Sequence, residues 1–188
     1  MLAGGRSSRF GSDKLVATYR GLPLLLHAVG SARAVCDEVI VVIAPGASQP
    51  RLLDGVRVVR DEVAGEGPLA GLIAGLLATR TEWALVAAGD MPEMAEPVLR
   101  EVVRVAREGE VDAVVLGDGD RLRPLPASLR VARASRVARG LFEAGERRLR
   151  TVMHALDAYV VEEQAWTTLD PNRRTLLDVD EPGDLPTA

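Results

Sequence analysis

The strongest constraint on this chain is an alternation of short Val-rich runs with longer segments that open at or beside a proline. Glu38–Ala44 (EVIVVIA), Val56–Arg60 (VRVVR), Trp83–Ala88 (WALVAA) and Asp112–Leu116 (DAVVL) are the runs, each bounded by turn residues. Apolar side chains at nearly every position, rather than every second one, are what strands covered on both faces require, so these read as parallel strands. Between them Pro23–Val35, Pro68–Thr79 and Glu96–Glu108 are long enough for helices, and a proline suits a first helical turn. The βαβα order predicts a three-layer α/β fold with helices on both sides of a mostly parallel sheet. Leu69, Leu72, Ile73, Leu76 and Leu77 form an apolar stripe expected to face the core. Beyond residue 117, Leu125–Arg130 reads as a strand, Ala132–Gly145 and Leu149–Leu156 as helices, and Ala158–Glu162 and Thr175–Val179 as late strands. No repeat, low-complexity segment or linker interrupts the pattern, so one domain over 1–188 is expected.

Composition narrows the function. With 188 residues, 47% of them hydrophobic, the chain is long enough to bury a core. A net charge of −4 argues against backbone binding of nucleic acid, which runs on excess Lys and Arg. Aromatics at 3% leave no platform for stacking single-stranded bases. Cys36 is the only cysteine, which excludes a disulfide framework and a Cys-based zinc site and suits a reducing cytoplasm. No stretch reaches the roughly 18 apolar residues of a membrane span, and the start lacks the pattern of a signal peptide.

The opening Leu2-Ala3-Gly4-Gly5-Arg6-Ser7-Ser8-Arg9-Phe10-Gly11-Ser12-Asp13-Lys14 is a glycine-rich loop. Glycines let backbone amides approach an anion, and Arg6, Arg9 and Lys14 add positive charge, so the segment is either a phosphate cradle or a polar terminus. Its spacing fits neither the P-loop nor the dinucleotide fingerprint. Of 23 basic residues, Lys14 is the only lysine. Either one Lys survived by chance, or this position needs a compact ammonium rather than a planar fork.

At this point the sequence resembles a family. The opening loop with Gly21-Leu22-Pro23-Leu24 is similar to the signature of nucleotidyltransferases with a Rossmann-like, glycosyltransferase-A-type fold. Gly67-Pro68-Leu69-Ala70-Gly71, Gly89-Asp90-Met91-Pro92, Ala144-Gly145-Glu146-Arg147-Arg148-Leu149 and Asp178-Val179-Asp180-Glu181-Pro182-Gly183-Asp184-Leu185 follow in order, and together they resemble the molybdenum cofactor guanylyltransferases, the MobA-like family. The resemblance implies Mg2+-dependent transfer of GMP from GTP to the terminal phosphate of molybdopterin, with maturation proteins of molybdoenzymes as further partners. It also implies a nucleotide-binding half over about 1–116 and an acceptor half over about 117–188. A cytidylyltransferase on the same pterin or another phosphorylated metabolite is the rival enzyme, and a non-catalytic cofactor-delivery protein the rival outside enzymes.

Site residues follow from placement plus resemblance. Asp90 comes directly after a buried strand, where open α/β sheets place ligands, and the family's metal aspartate matches it; the alternative is a cap on the next helix. Leu2, Ala3, Gly4, Gly5 and Lys14 are expected on the nucleotide, with Lys14 and Arg9 on the triphosphate. Asp61, after VRVVR, matches an aspartate beside the nucleotide and otherwise reads as an exposed loop carboxylate. Asp178 and Asp180, spaced i, i+2, face one side while Leu177 and Val179 face the other. Asp180 is either a second Mg2+ ligand or a cap before Pro182, and Asp178 joins it on the acceptor side. Arg147 and Arg148, with Arg150, form a basic cluster suited to an acceptor phosphate or to a solvated helix end. Gly119–Ser128 matches the family's acceptor-side segment. Two departures stand out: Ala44-Pro45 replaces an Asn common in the family, and Asp178 and Asp180 stand where Asn is frequent.

His27 and His154 lie in apolar helical stretches and read as packing or surface residues. Ser7 and Ser8 lack a nucleophile-elbow context. Only Met1, Leu2 and Ala3 precede Gly4, at most about 10 Å of extended chain. The expectation is therefore either an upstream Val- or Ile-rich start in the natural polypeptide, or a shortened central strand with a loosely held loop.

Overall fold

A computed structural model describes residues 1–4, 14–61 and 66–185, with the backbone alone for Lys14 and Pro182. The runs read as strands form β4 (Val39–Ile43), β5 (Val56–Arg60), β6 (Trp83–Val86) and β7 (Ala113–Asp118). They join β1 (Leu2–Ala3), β8 (Arg121–Arg130) and β9 (Tyr159–Val161). A small hairpin pairs β2 (Thr18–Tyr19) with β3 (Leu22–Pro23). Its turn, Arg20 and Gly21, has φ of 46° and 85°, the left-handed pair that suits a tight two-residue connection.

The order across the sheet is β5-β4-β1, then β6-β8-β7-β9, and a parallel bridge between Leu2 and Ala88 splices the two parts. Among the described strands of this sheet only β8 runs against the rest. Helices α1 (Leu24–Arg33), α2 (Pro68–Ala78), α3 (Glu96–Glu108), α4 (Val131–Glu143), α5 (Leu149–Ala155) and the short α6 (Glu163–Trp166) cover both faces. Alternation along each strand sorts the side chains. Val39, Val41 and Ile43 pack with α1, and Val114 and Leu116 with α3 and Trp166. On the opposite face Val42 meets Gly71 and Gly75 of α2, and Ala113 and Val115 meet α2, α4 and α5. Two covered faces are the physical reason the strands read as unbroken apolar runs.

The structure corrects two expectations. Leu77 is 62% exposed while Leu69, Leu72 and Leu76 are buried. On a 100° helical wheel it is the stripe member turned furthest from Leu72, so it leaves the core side. Thr175–Val179 is not a strand. It is a 3-10 turn, Arg174–Leu176, followed by irregular chain, because the Asp170 carboxylate takes the Thr175 N–H at 2.7 Å and so withdraws a ladder donor. The short α6 and the β2–β3 hairpin carry no periodic signal and were not expected.

β1 spans Leu2–Ala3. Its pairing is two-sided. Leu2 N–H donates to Ala87 O at 2.8 Å, Gly89 N–H to Leu2 O at 2.8 Å, and Val42 N–H to Met1 O at 2.9 Å. In line with β1, a cavity of about 380 Å³ opens between β4 and β6, with Ile40, Val42, Leu85 and Val86 in its walls. The Met1 ammonium sits at that cavity and donates to Ile40 O at 2.9 Å. Burial pushes its pKa down from 8.0 to about 6.

Candidate functional site

Four parallel strand ends meet along one edge of the sheet. β1 leads into Gly4, β4 into Ala44, β5 into Asp61 and β6 into the turn carrying Asp90. Ligands of open α/β sheets bind at this carboxyl edge. Gly4 lies close enough to β4 that a Cβ there would stand 3.3 Å from the Ala44 nitrogen. Asp61 N–H donates to Ile43 O at 2.9 Å, extending the β4–β5 ladder by one step. Asp90 rides on a tight turn in which Met91 N–H reaches Ala88 O at 3.4 Å. Gly89 keeps the turn close to the core: a Cβ would stand 3.0 Å from Leu25 Cδ1 and 3.2 Å from Leu15 Cδ2.

The C-terminal segment returns to the same turn. Val179 N–H donates to Asp90 O at 3.0 Å. Val179 is buried, and Asp178 and Asp180 on either side of it are exposed, as the i, i+2 spacing requires. Leu177, expected on the inner side with Val179, is 38% exposed because no ladder imposes strict alternation on this stretch. Asp184 Oδ2 accepts the N–H groups of Asp180 and Glu181, both at 2.8 Å, so the capping carboxylate of this turn is Asp184. Asp90, Asp178 and Asp180 thus stand on two segments joined by a backbone hydrogen bond. Among the described residues no three His, Cys, Asp or Glu side chains converge into a metal-binding cluster.

Across the edge stands the segment before α5. Arg147 Nε meets Glu66 Oε2 at 2.5 Å, and its Nη1 donates to Phe142 O at 3.0 Å and Glu146 O at 2.8 Å. Its guanidinium stacks on the Phe142 ring, 4.1 Å from the centroid. Arg148 pairs with Glu146 at 2.9 Å. The Arg148 guanidinium holds the Glu146 carboxyl well below the usual carboxylate range, aided by the Thr151 hydroxyl and the N–H groups of Arg147 and Arg148. An anion arriving here meets two arginines already engaged by carboxylates. Arg150 is exposed on α5. The Gly119–Ser128 segment lies on the β7–β8 hairpin, where Arg123 pairs with Asp118 at 2.7 Å.

Gly5 and Arg9 lie outside the described residues, and Lys14 opens a 3-10 turn, Lys14–Val16. Leu2 and Ala3 form β1. Two residues absent from the sequence reading organise the surroundings. Glu66 is the partner of Arg147, 81 residues away, which no local pattern reveals. Glu93, in the turn after Asp90, gathers the Tyr19 hydroxyl, Arg20 at 2.9 Å and Arg174 at 3.0 Å. Burial, followed by the Glu93 contact, raises the Tyr19 pKa. The acidic residue three positions after Asp90 was visible in sequence, but not its partners. His27 Nε2 lies 2.7 Å from Tyr19 O and is a packing residue of the hairpin.

Comparison with known proteins decides the family. The model of the MobA-like NTP transferase domain matches residues 1–159. The chain belongs to the MobA-like NTP transferase family. A probable molybdenum cofactor guanylyltransferase of Chloroflexus aggregans is 37% identical over 190 residues, covering 98% of this chain and 89% of that protein. In structure, the molybdopterin-guanine dinucleotide biosynthesis protein A of Archaeoglobus fulgidus superposes with a TM-score of 0.77 at 20% identity over 97% of this chain and 92% of its own. The 2-C-methyl-D-erythritol 4-phosphate cytidylyltransferase of Thermus thermophilus does so with a TM-score of 0.70 at 18% identity, over 97% and 92%. These structures share the Rossmann-like nucleotidyltransferase fold. The MobA-like match makes the chain a nucleotidyltransferase, and its span takes in Asp61, Asp90 and the Arg147–Arg148 pair while ending before Asp178.

Gly67, the residue before α2, has φ 81° and ψ 178°, a region open essentially to glycine alone. A Cβ there would also stand 3.3 Å from Arg147 Cβ. Gly67→Ala should therefore cost about 1–3 kcal/mol of stability in urea unfolding. Unchanged stability would show that the α2 start and Arg147 are not held in this arrangement.

Proposed function

We propose that this nucleotidyltransferase transfers GMP from GTP to the terminal phosphate of molybdopterin in a Mg2+-dependent reaction. A phosphate oxygen of the pterin attacks the α-phosphorus, the bond to the β-phosphate bridging oxygen breaks, and pyrophosphate leaves. The observation that carries the reading is the position of Asp90, on the turn after β6 and hydrogen-bonded through its carbonyl to Val179, between Asp178 and Asp180. The relatives' names, molybdenum cofactor guanylyltransferase among them, supply the substrate pair.

Such a displacement needs alignment and charge neutralisation more than a covalent nucleophile. Mg2+ takes one or two protein carboxylates and fills its remaining positions with phosphates and water, so an acidic pair fits it better than a closed cage. We assign Asp90 to the ion, with Asp180 second. Bound there, the ion would offset charge developing on the triphosphate. Lys14, Arg9 and the amides of Gly4 and Gly5 would hold the phosphates. Leu2 and Ala3 would form the floor of the site and Asp61 would contact the nucleoside. Arg147, Arg148 and Asp178 would stand on the acceptor side, where the phosphate would compete with Glu66 and Glu146 for the arginines. We place the reaction in the cytoplasm, with molybdoenzyme maturation proteins receiving the product.

Transfer of CMP instead of GMP is the second reading. Ala44-Pro45 at the end of β4 leaves it open, because the Asn that the resemblance places there to help hold the nucleotide is replaced. Pyrophosphate release with molybdopterin and either GTP or CTP separates the two, and release with neither would leave only cofactor delivery.

Asp90→Asn should keep the fold and lower Mg2+-dependent pyrophosphate release by about 100-fold or more, since an amide cannot match the carboxylate's charge at the ion. Normal turnover in that variant would remove Asp90 from the metal site. Lys14→Ala should weaken GTP binding by about 10- to 100-fold in calorimetry, with Lys14→Arg a partial rescue. Equal affinity in wild type and both variants would take Lys14 out of the triphosphate site.

A further inference from the structure

The chain between α6 and Asp178 contains two of the few buried polar side chains, Asp170 and Thr175. Asp170 Oδ2 accepts the Thr175 N–H at 2.7 Å and the Thr175 hydroxyl at 2.8 Å. With its proton donated to Asp170, the Thr175 hydroxyl oxygen has lone pairs left for another donor. That donor is the N–H of Ala95, at 3.1 Å, at the end of the turn carrying Asp90. Four residues further on, Val179 N–H reaches Asp90 O at 3.0 Å. Next to the Thr175 rung, Arg174 pairs with Glu93 at 3.0 Å. Segments 90–95 and 174–179 are thus strapped at three points.

Only one of those points is directed by a buried side-chain pair. The Val179 rung is a backbone bond, and the Arg174–Glu93 pair joins a half-exposed guanidinium to a carboxylate shared with Tyr19 and Arg20. The Asp170–Thr175 pair is buried, and loss of its hydroxyl would leave the Ala95 N–H without that acceptor.

We propose that Asp170 and Thr175 are positioning residues whose buried hydrogen-bond pair sets the register of the Asp178–Asp180 segment against the Asp90 turn, and through it the spacing of the carboxylates around the metal–triphosphate. The inference rests on the assignment of Asp90 and Asp180 to the divalent ion. Neither residue touches a substrate; both act on the placement of the residues that do.

The test uses the intact chain with GTP and Mn2+, binding being read by electron paramagnetic resonance and the Val179 amide by hydrogen exchange. Thr175→Val should weaken Mn2+ binding about tenfold and speed Val179 exchange by a similar factor. Thr175→Ser, which keeps the hydroxyl, should stay within about twofold of wild type. A merely structural role would lower the thermal midpoint without moving metal affinity well below it. Should Thr175→Val not fold, Asp170→Ala, which removes the acceptor of both Thr175 bonds, carries the same comparison, with the same weakening expected. Unchanged Mn2+ affinity in the variant, in an assay where Asp90→Asn abolishes binding, overturns the inference and leaves the metal assignment standing. Wild-type affinity in Asp90→Asn overturns the metal assignment, and the inference with it.

Discussion

The backbone hydrogen bonds of Leu2 are the joint on which the rest depends. Through Ala87 and Gly89 on one side and the neighbouring Met1–Val42 bond on the other, a strand of two residues ties the β5–β4 part of the sheet to the β6–β8–β7–β9 part. Each bond contributes little by itself, about 1 kcal/mol. Their value is geometric, because they bring the ends of β1, β4, β5 and β6 to one edge and place the start of the glycine-rich loop in the middle of it.

Around that edge, charge is arranged by pairing rather than by excess. Glu93 collects Tyr19, Arg20 and Arg174, tying the β2–β3 hairpin and the C-terminal segment to the Asp90 turn. Glu66 and Glu146 hold Arg147 and Arg148 on the opposite side. Their guanidinium ends are partly or largely exposed, and pairs open to water on one side add little stability individually. They orient long side chains, and they mean that an acceptor phosphate must exchange places with a carboxylate rather than enter an uncompensated basic patch.

The layers were legible in sequence because burial on both faces writes itself as unbroken Val-rich runs, and Val39–Ile43, Val56–Arg60 and Glu96–Glu108 fall within or on the expected boundaries. Thr175–Val179 misled because its composition suits a strand while the Asp170 side chain diverts its donor. Leu77 misled because a stripe five residues wide exceeds the face one helix can bury. Asp90 was recognisable from its place after a buried strand. Glu66, Asp170 and Thr175 were not, since the partners of Glu66 and Thr175 include groups 80 or more residues away.

The sequence by itself determined the three-layer α/β class, the family through its ordered glycine and aspartate motifs, and the residue types offered at the carboxyl edge. These are local properties, set by periodicity, by backbone freedom at glycine and by position relative to a strand end. Tertiary structure alone decided which groups meet: that Val179 donates to the Asp90 carbonyl, that Arg147 is claimed by Glu66, and that Thr175 braces Ala95. Such contacts depend on how far chain segments pack against one another in three dimensions, and separation along the sequence carries no record of that distance.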